Sequence, residues 1–158
     1  MSDAQVGHEK TLTGLIPALA GANMIYGLGM LESGITFDYG QLVLDCEFAR
    51  MIKHAVKGFV VNDHTLATDV IKEVGPFGNF LTHKHTLQGM RSQSQVELID
   101  RTMREEWLAK GAVPIREKSM QKVRHILETH KPEPLPDDVR AQIRAIVEEA
   151  EKEEGKKE

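Results

Sequence analysis

The sequence predicts an α/β protein: one strand–loop–helix unit followed by a mainly helical extension. Three observations carry this. A glycine-flanked apolar segment, "MIYGLG" at residues 24–29, runs into a turn with one carboxylate, Glu32. A long amphipathic helix opens directly afterwards at Asp38. From about residue 95 onward the pattern is helical throughout. A strand that delivers a loop and then a helix is the repeating unit of an α/β barrel. One strand cannot satisfy its own backbone groups. Either further strands escape the pattern or the chain is incomplete.

Each element has its own signal. "HEKTLTGLIPALAGAN" predicts a first helix, with Leu12, Leu15, Ile16 and Leu19 at helical spacing. Pro17 should kink it, and Gly21 and Asn23 are good stop residues. "MIYGLG" alternates poorly, as a strand covered on both faces does. Asp38 with Gln41 makes a capping-box pattern for the next helix. Leu44, Phe48, Met51, Ile52, Ala55 and Val56 give that helix one apolar stripe, and Gly58 ends it. "FVV" is a short extended link. Residues 62–74 predict another helix, capped by Asn62 or Asp63, with Leu66, Val70, Ile71 and Val74 toward the core. "GPFGNF" is a turn cluster, and "LTHKHTLQGMRSQSQ" a loop with a short helix. Three further helices follow: "VELIDRTMREEWLAKG", "IREKSMQKVRHILETH" and, after the "KPEPLP" spacer, "PDDVRAQIRAIVEEAEKEE". The last starts with a proline and two acids, which suits the helix dipole. Val139, Ile143, Ile146, Val147 and Ala150 form its apolar face.

Composition narrows the function classes. The 158 residues allow one domain with a core, and 41% apolar with 28% charged residues are globular proportions. Lys+Arg at 20 against Asp+Glu at 24 leaves no clustered basic face for nucleic acid. The acidic excess gathers in the tail "VEEAEKEEGKKE", a solvated helix end. The single cysteine, Cys46, points to a reducing compartment, and beside the apolar stripe it reads as a buried, inert thiol. No apolar run approaches the roughly 18 residues of a membrane span. The N-terminus lacks a signal-peptide core, so the expected location is the cytoplasm.

The candidate groups have plain readings beside functional ones. Glu32 lies where a barrel carries catalytic groups, or it bonds loop backbone. Tyr26 points into a cavity or is packed with its hydroxyl paired. Gly27 and Gly29 mark a close approach of backbone or ligand, without a dinucleotide or P-loop fingerprint. His83 and His85, two apart, would share one side of a strand and could share a metal. No cysteine or carboxylate stands near enough in sequence to complete a site, the nearest upstream acid being Glu73. The expectation is therefore no metal, and a structural or pocket-lining role. Asp45, Glu47 and Arg50 read as solvated helix charges, and Trp107 as an anchor of the helical extension.

Taken together, "SDAQ…GHEK", "GANMIYGLGMLESGITFDYGQLVLDCEFARMI" and "DVIKEVGPFGNFLTHKHTL" resemble the C-terminal third of the trimethylamine–corrinoid methyltransferase family, from Ser2 to about Ile146. The "G-x-G-x-L-E-S-G" and "F-L-T-H-K-H-T-L" runs are the specific parts. The resemblance implies the C-terminal part of a (β/α)8 TIM-type barrel: residues 1–92 as late βα units and 93–158 as a helical extension. It implies methyl transfer from a methylated amine to Co(I) of a separate corrinoid protein. The corrinoid is carried by that partner, and no cofactor is bound directly. Tyr26, Gly27, Gly29 and Glu32 match the barrel-end motif that would line the amine cavity. Many family members carry His where this chain has Tyr26; Tyr with "GMLESGITFDY" is nearer the trimethylamine branch. An aromatic face holds a methylated ammonium by cation–π attraction worth about 0.5–2 kcal/mol, and Glu32 would balance its charge.

In the trimethylamine branch the catalytic residue is pyrrolysine, and its position would lie upstream of Met1. On that reading an in-frame amber codon was taken as a stop, with a truncated gene as the rival. The chain alone is then expected to be inactive, and the full-length protein a homo-oligomer. Two alternatives remain: a quaternary-amine enzyme of the glycine betaine type without pyrrolysine, and a non-catalytic helical partner-binding module.

Overall fold

The computed structural model describes residues 3–155. They divide into two compact units, one up to His125 and one from Ile126 onward. In chain order the elements are α1 (Ala4–Leu19), β1 (Met30–Leu31), a 3-10 turn (Glu32–Gly34), β2 (Thr36–Phe37), α2 (Tyr39–Lys57), α3 (Asp63–Leu66), α4 (Thr68–Val74), α5 (Lys84–Met90), α6 (Arg104–Ala109), α7 (Ile115–Thr129) and α8 (Asp137–Glu154).

The helix α1 starts before the expected residue 8, because the Asp3 side chain accepts a hydrogen bond from the Val6 amide and caps it. Pro17 is accommodated in its last turns. The face of α1 that meets α2 is not the predicted stripe: Leu12, Ile16 and Leu19 are exposed, while Gly14 is buried. A Cβ on Gly14 would lie 2.8 Å from Ile52 Cδ1, so the glycine sets how closely the two helices approach.

Residues 24–27, expected to begin a buried strand, carry no regular secondary structure, and Met24 and Tyr26 are 81% and 80% exposed. The ladder among the described residues is antiparallel and lies further on. Met30 pairs with Phe37 and Leu31 with Thr36, closing a hairpin over the Glu32–Gly34 turn. A segment without neighbouring strands has nothing to bond its amides and carbonyls, and the described residues supply none for 24–27.

The helix α2 begins and ends as its sequence says. The Asp38 carboxylate accepts from the Gln41 amide at 2.6 Å, and the Gly58 amide closes on the Ala55 carbonyl. The box is only half formed. The Gln41 side chain donates instead to Asp45, and the Asp38 amide donates to the Gly29 carbonyl. The helix expected over 62–74 breaks at Ala67, which is left-handed at φ 51°, giving α3 and α4. Asn62 caps α3 through a full capping box with Thr65.

The helix expected from residue 95 starts only at Arg104. The Glu97 and Leu98 amides donate to Glu47, and the Thr102 amide donates to Asp100, so these donors are not available to a helix. The side chains of Thr102 and Lys118 hold the Asp100 carboxyl well below the usual carboxylate range. Trp107 on α6 is half-buried. The helix α7 and the "KPEPLP" spacer fall where expected. In the second unit α8 carries Asp137 and Asp138 in its first turn, and its described residues are all exposed.

The buried apolar side chains of the first unit include Leu44, Leu98 and Val123, and beside them Gln41, Asp45, Glu47 and Ser119 are buried as well. Arg116 of α7 clamps the start of α2 with two bonds to Asp38, at 2.6 and 2.8 Å. The Arg116 side-chain bonds hold Asp38 down to about 2, against 3.8 for an ordinary aspartate. A depressed folded-state value stabilises the fold above the unfolded value and stops doing so as pH falls toward the folded one. Between about pH 5 and pH 2 the chain should therefore lose stability. Asp38→Asn should flatten that part of the profile, which urea unfolding at stepped pH would measure. An unchanged slope in the variant would count against the clamp.

Candidate functional site

A groove of about 760 Å³ runs between α1, residues 22–28 and α2. Its walls are mostly apolar, from Pro17, Ala18, Ile25, Phe48 and Ile52. Its one charged pair comes from facing helices. Lys10 of α1 and Asp45 of α2 meet at 2.6 Å, Nζ to Oδ2.

That pair organises the loop beside it. Lys10 Nζ also donates to the Gly27 carbonyl at 2.9 Å. Asp45 accepts from the Gly29 amide at 2.7 Å on one oxygen and from Gln41 Nε2 at 2.7 Å on the other. Asp45 is only 5% exposed, so the charge is desolvated and held by three donors. Gly29 is constrained twice. Its φ of 77° favours glycine, and a Cβ there would come within 2.8 Å of the Phe37 ring. The Gln41 carbonyl oxygen is buried without a hydrogen-bond partner among the described residues. A flip of that amide would turn an oxygen toward the Asp45 carboxylate, so the assigned orientation is the better one.

The expected site residues are partly brought together. Tyr26 and Gly27 line the groove, and the Tyr26 ring is open to solvent. Gly29 is buried behind it, under Phe37. Glu32 is exposed at the tip of the hairpin and accepts from the Thr36 hydroxyl at 2.9 Å. Glu32 and Ser33 follow each other in the left-handed region, at φ 52° and 54°. That conformation costs non-glycine residues on the order of 1 kcal/mol each, and such strain gathers at ligand clamps.

His83 and His85 are not on a strand. His83 caps α5, its Nδ1 accepting from the His85 amide, which leaves the hydrogen on Nε2, 3.6 Å from Glu73. His85 Nε2 lies 2.8 Å from the His64 carbonyl, and the His64 and His85 rings stand 4.8 Å apart. The pair docks α5 onto α3. Among the described residues no three His, Cys, Asp or Glu side chains gather as metal ligands.

Cys46 is exposed, contrary to the buried-thiol expectation. The neighbouring helix charges are the reverse of what their composition suggested. Asp45 and Glu47 are buried at 5% and 1%, and Glu47 accepts from the Glu97 amide at 2.9 Å, the Leu98 amide at 3.3 Å and Arg50 at 2.9 Å. A signal for this was present. Gln41, Asp45, Phe48 and Ile52 form one helical row and Leu44, Glu47 and Met51 the adjacent one, so Asp45 stands within the apolar stripe and Glu47 at its edge. Cys46 falls on the opposite side.

The profile of the Trimethylamine methyltransferase (MTTB) family matches residues 1–155. The trimethylamine methyltransferase MttB of Desulfitobacterium hafniense (strain DSM 10664 / DCB-2) is 58% identical over 97% of this chain and 31% of its own length. MttB1 of Methanosarcina mazei is 44% identical over 95% of this chain and 30% of its own. The glycine betaine methyltransferase of Desulfitobacterium hafniense (strain Y51) is 31% identical over 97% of this chain and 32% of its own. The chain thus spans about a third of the length of the curated relatives it matches. With its family profile matched from end to end of the described fold, the chain belongs to the trimethylamine methyltransferase family.

Proposed function

We propose that this chain is the C-terminal part of a trimethylamine:corrinoid protein methyltransferase. The complete enzyme moves a methyl group from trimethylamine to Co(I) of a cognate corrinoid protein. The observation that carries the reading is the contrast in identity: 58% to a trimethylamine methyltransferase against 31% to a glycine betaine methyltransferase. On this reading residues 1–92 supply late units of a (β/α)8 barrel, and the groove beside Tyr26 opens toward its interior. The pyrrolysine position belongs to the part of the enzyme upstream of Met1. The enzyme works in the cytoplasm as a homo-oligomer.

The partner's corrinoid supplies the cobalt chemistry, and the protein's share is positioning and electrostatics. Tyr26 offers an aromatic face to the methylated ammonium. Lys10 and Asp45 hold the Gly27–Gly29 backbone that carries Tyr26 at the groove wall. Glu32, on its strained turn, supplies negative charge for the cation. His83 and His85 serve the fold, through the α5 cap and the contact with His64.

The test begins with the DNA upstream of codon 1, read in the same frame. An amber codon inside a continuous barrel-coding frame is expected. The whole product, made with pyrrolysine, should methylate the reduced corrinoid protein from trimethylamine and not from glycine betaine. In that enzyme Tyr26→Ala should raise the KM for trimethylamine by about tenfold, the size of a cation–π contact. The 158-residue chain alone should transfer no methyl group. A sense codon with activity on glycine betaine would instead establish the quaternary-amine reading.

A further inference from the structure

We propose that Asp45 determines specificity: by neutralising Lys10 it makes the groove select methylated ammonium ions that carry no carboxylate. The inference rests on the groove being the amine cavity, as proposed above. Trimethylammonium bears one positive charge. Glycine betaine bears the same kind of cation and a carboxylate as well. A bare ammonium in the groove wall would hold that carboxylate and repel the simple cation. A neutralised ammonium does neither.

Lys10 and Asp45 both line the groove, and their side chains are only 21% and 6% exposed. The ammonium also bonds the Gly27 carbonyl, one residue from Tyr26, so its charge stands beside the aromatic side chain's attachment. Where water is this scarce, an uncompensated charge acts more strongly than in bulk solvent. The other ammonium groups of the lining, Lys53 and Lys57, are exposed. They stand about two and three turns further along α2, on the order of 12 and 18 Å of helix axis. Salt screens them there, because the Debye length is about 8 Å. The Lys10–Asp45 pair therefore sets the charge at the Tyr26 end.

The surroundings of Asp45 allow its charge to be removed without its bonds. Oδ2 accepts from Lys10 and from the Gly29 amide, and Oδ1 accepts from Gln41 Nε2. Gln41 is 1% exposed, and its own carbonyl oxygen has no hydrogen-bond partner among the described residues. In Asp45→Asn the side-chain oxygen takes the place of Oδ2 and keeps both donors. The amide nitrogen takes the place of Oδ1, and a flip of Gln41 turns that unpartnered oxygen toward it. The bonds survive and the negative charge goes. In Lys10→Met the carboxylate keeps the Gly29 amide and Gln41, while the ammonium goes with its bond to the Gly27 carbonyl.

The experiment is equilibrium binding of trimethylammonium and of glycine betaine to the full-length enzyme, by calorimetry and without the corrinoid protein. kcat/KM for each amine is read beside it. The ratio of the two affinities is the readout. Asp45→Asn should move it about tenfold toward glycine betaine, and Lys10→Met about tenfold toward trimethylammonium. Lys10→Met combined with Asp45→Asn should return it to the wild-type ratio. A pair that only holds the Gly27–Gly29 loop would weaken both amines together and leave the ratio unchanged in every variant, which overturns the proposal. Shifts in the same direction in both single variants overturn it as well. The two single variants leave charges of opposite sign, so either one tests the proposal should the other fail to fold, which far-UV circular dichroism checks. A wild-type enzyme that takes trimethylamine while the ratio stays fixed in the variants overturns the specificity role alone. A wild-type enzyme that binds neither amine overturns the reading of the groove, and this proposal with it.

Discussion

Asp45→Ala is expected to destabilise the chain by about 3–5 kcal/mol, the cost of breaking a desolvated ion pair from one side. Three donors lose their acceptor together: Lys10 Nζ, the Gly29 amide and Gln41 Nε2. Lys10 is 21% exposed in its side chain and can turn only partly to water, while the Gly29 amide makes its bond to Asp45 in a buried place. A domain of this size has a total stability of about 5–15 kcal/mol, so urea unfolding should show a large fall in midpoint. Much of that cost is the ammonium left without its partner. Lys10→Met in the same background should therefore return part of the loss, a coupling that a double-mutant cycle measures. Amide hydrogen exchange at Gly29 should accelerate in the single variant. A loss below about 1 kcal/mol would mean that the groove-wall loop is held by packing and not by this carboxylate.

Glu47→Ala is expected to cost about 3 kcal/mol, because a buried backbone amide and a part-buried one lose their charged acceptor together. Those amides belong to Glu97 and Leu98, and Leu98 is one of the buried apolar side chains. The variant should let the 96–103 segment come away from α2. Arg50 and Lys122 would still pair with the Glu97 carboxylate, so the segment keeps a surface tether. Glu47→Gln retains an acceptor oxygen of the same reach and should lose less, about 1 kcal/mol. Hydrogen exchange at Glu97 and Leu98, read beside the urea midpoint, distinguishes release of this segment from general softening. Equal effects of the Ala and Gln variants would argue that negative charge, and not the hydrogen bonds, holds the segment.

These two carboxylates also mark where reading the sequence falls short. The cap of α2, its glycine stop, the capped start at Asn62 and the spacer before α8 are written in two to four neighbouring residues, and each appears where those residues place it. Local bonds alone decide such features. The break at Ala67 and the late start of α6 are different. Local propensity favours one helix in each case, yet in the second the amides of Glu97 and Leu98 are drawn to a side chain about 50 residues away in sequence. No local pattern contains that contact.

The candidate site divides the same way. Tyr26 and Gly27 were read as part of a short strand, and they stand instead in an irregular turn along the groove wall. Lys10, which anchors that turn, lies 35 residues from Asp45, and only the α1–α2 contact brings them together. Asp45 stands within the apolar stripe and Glu47 at its edge, a spacing that favours burial of the first and leaves the second undecided. Composition alone favours solvated charges at such positions, because an unpaired buried charge is costly.

By itself, then, the sequence determined the family, the order of the helices and their caps. These rest on matched runs of residues and on bonds that span one turn. Tertiary structure alone decided which face of α1 meets α2, which charges go inside, and that residues 24–27 form a groove wall and not a ladder strand. Those outcomes depend on which donors and apolar surfaces the rest of the chain supplies at each place. A residue's neighbours in space are set by the whole packing and not by its neighbours in the chain.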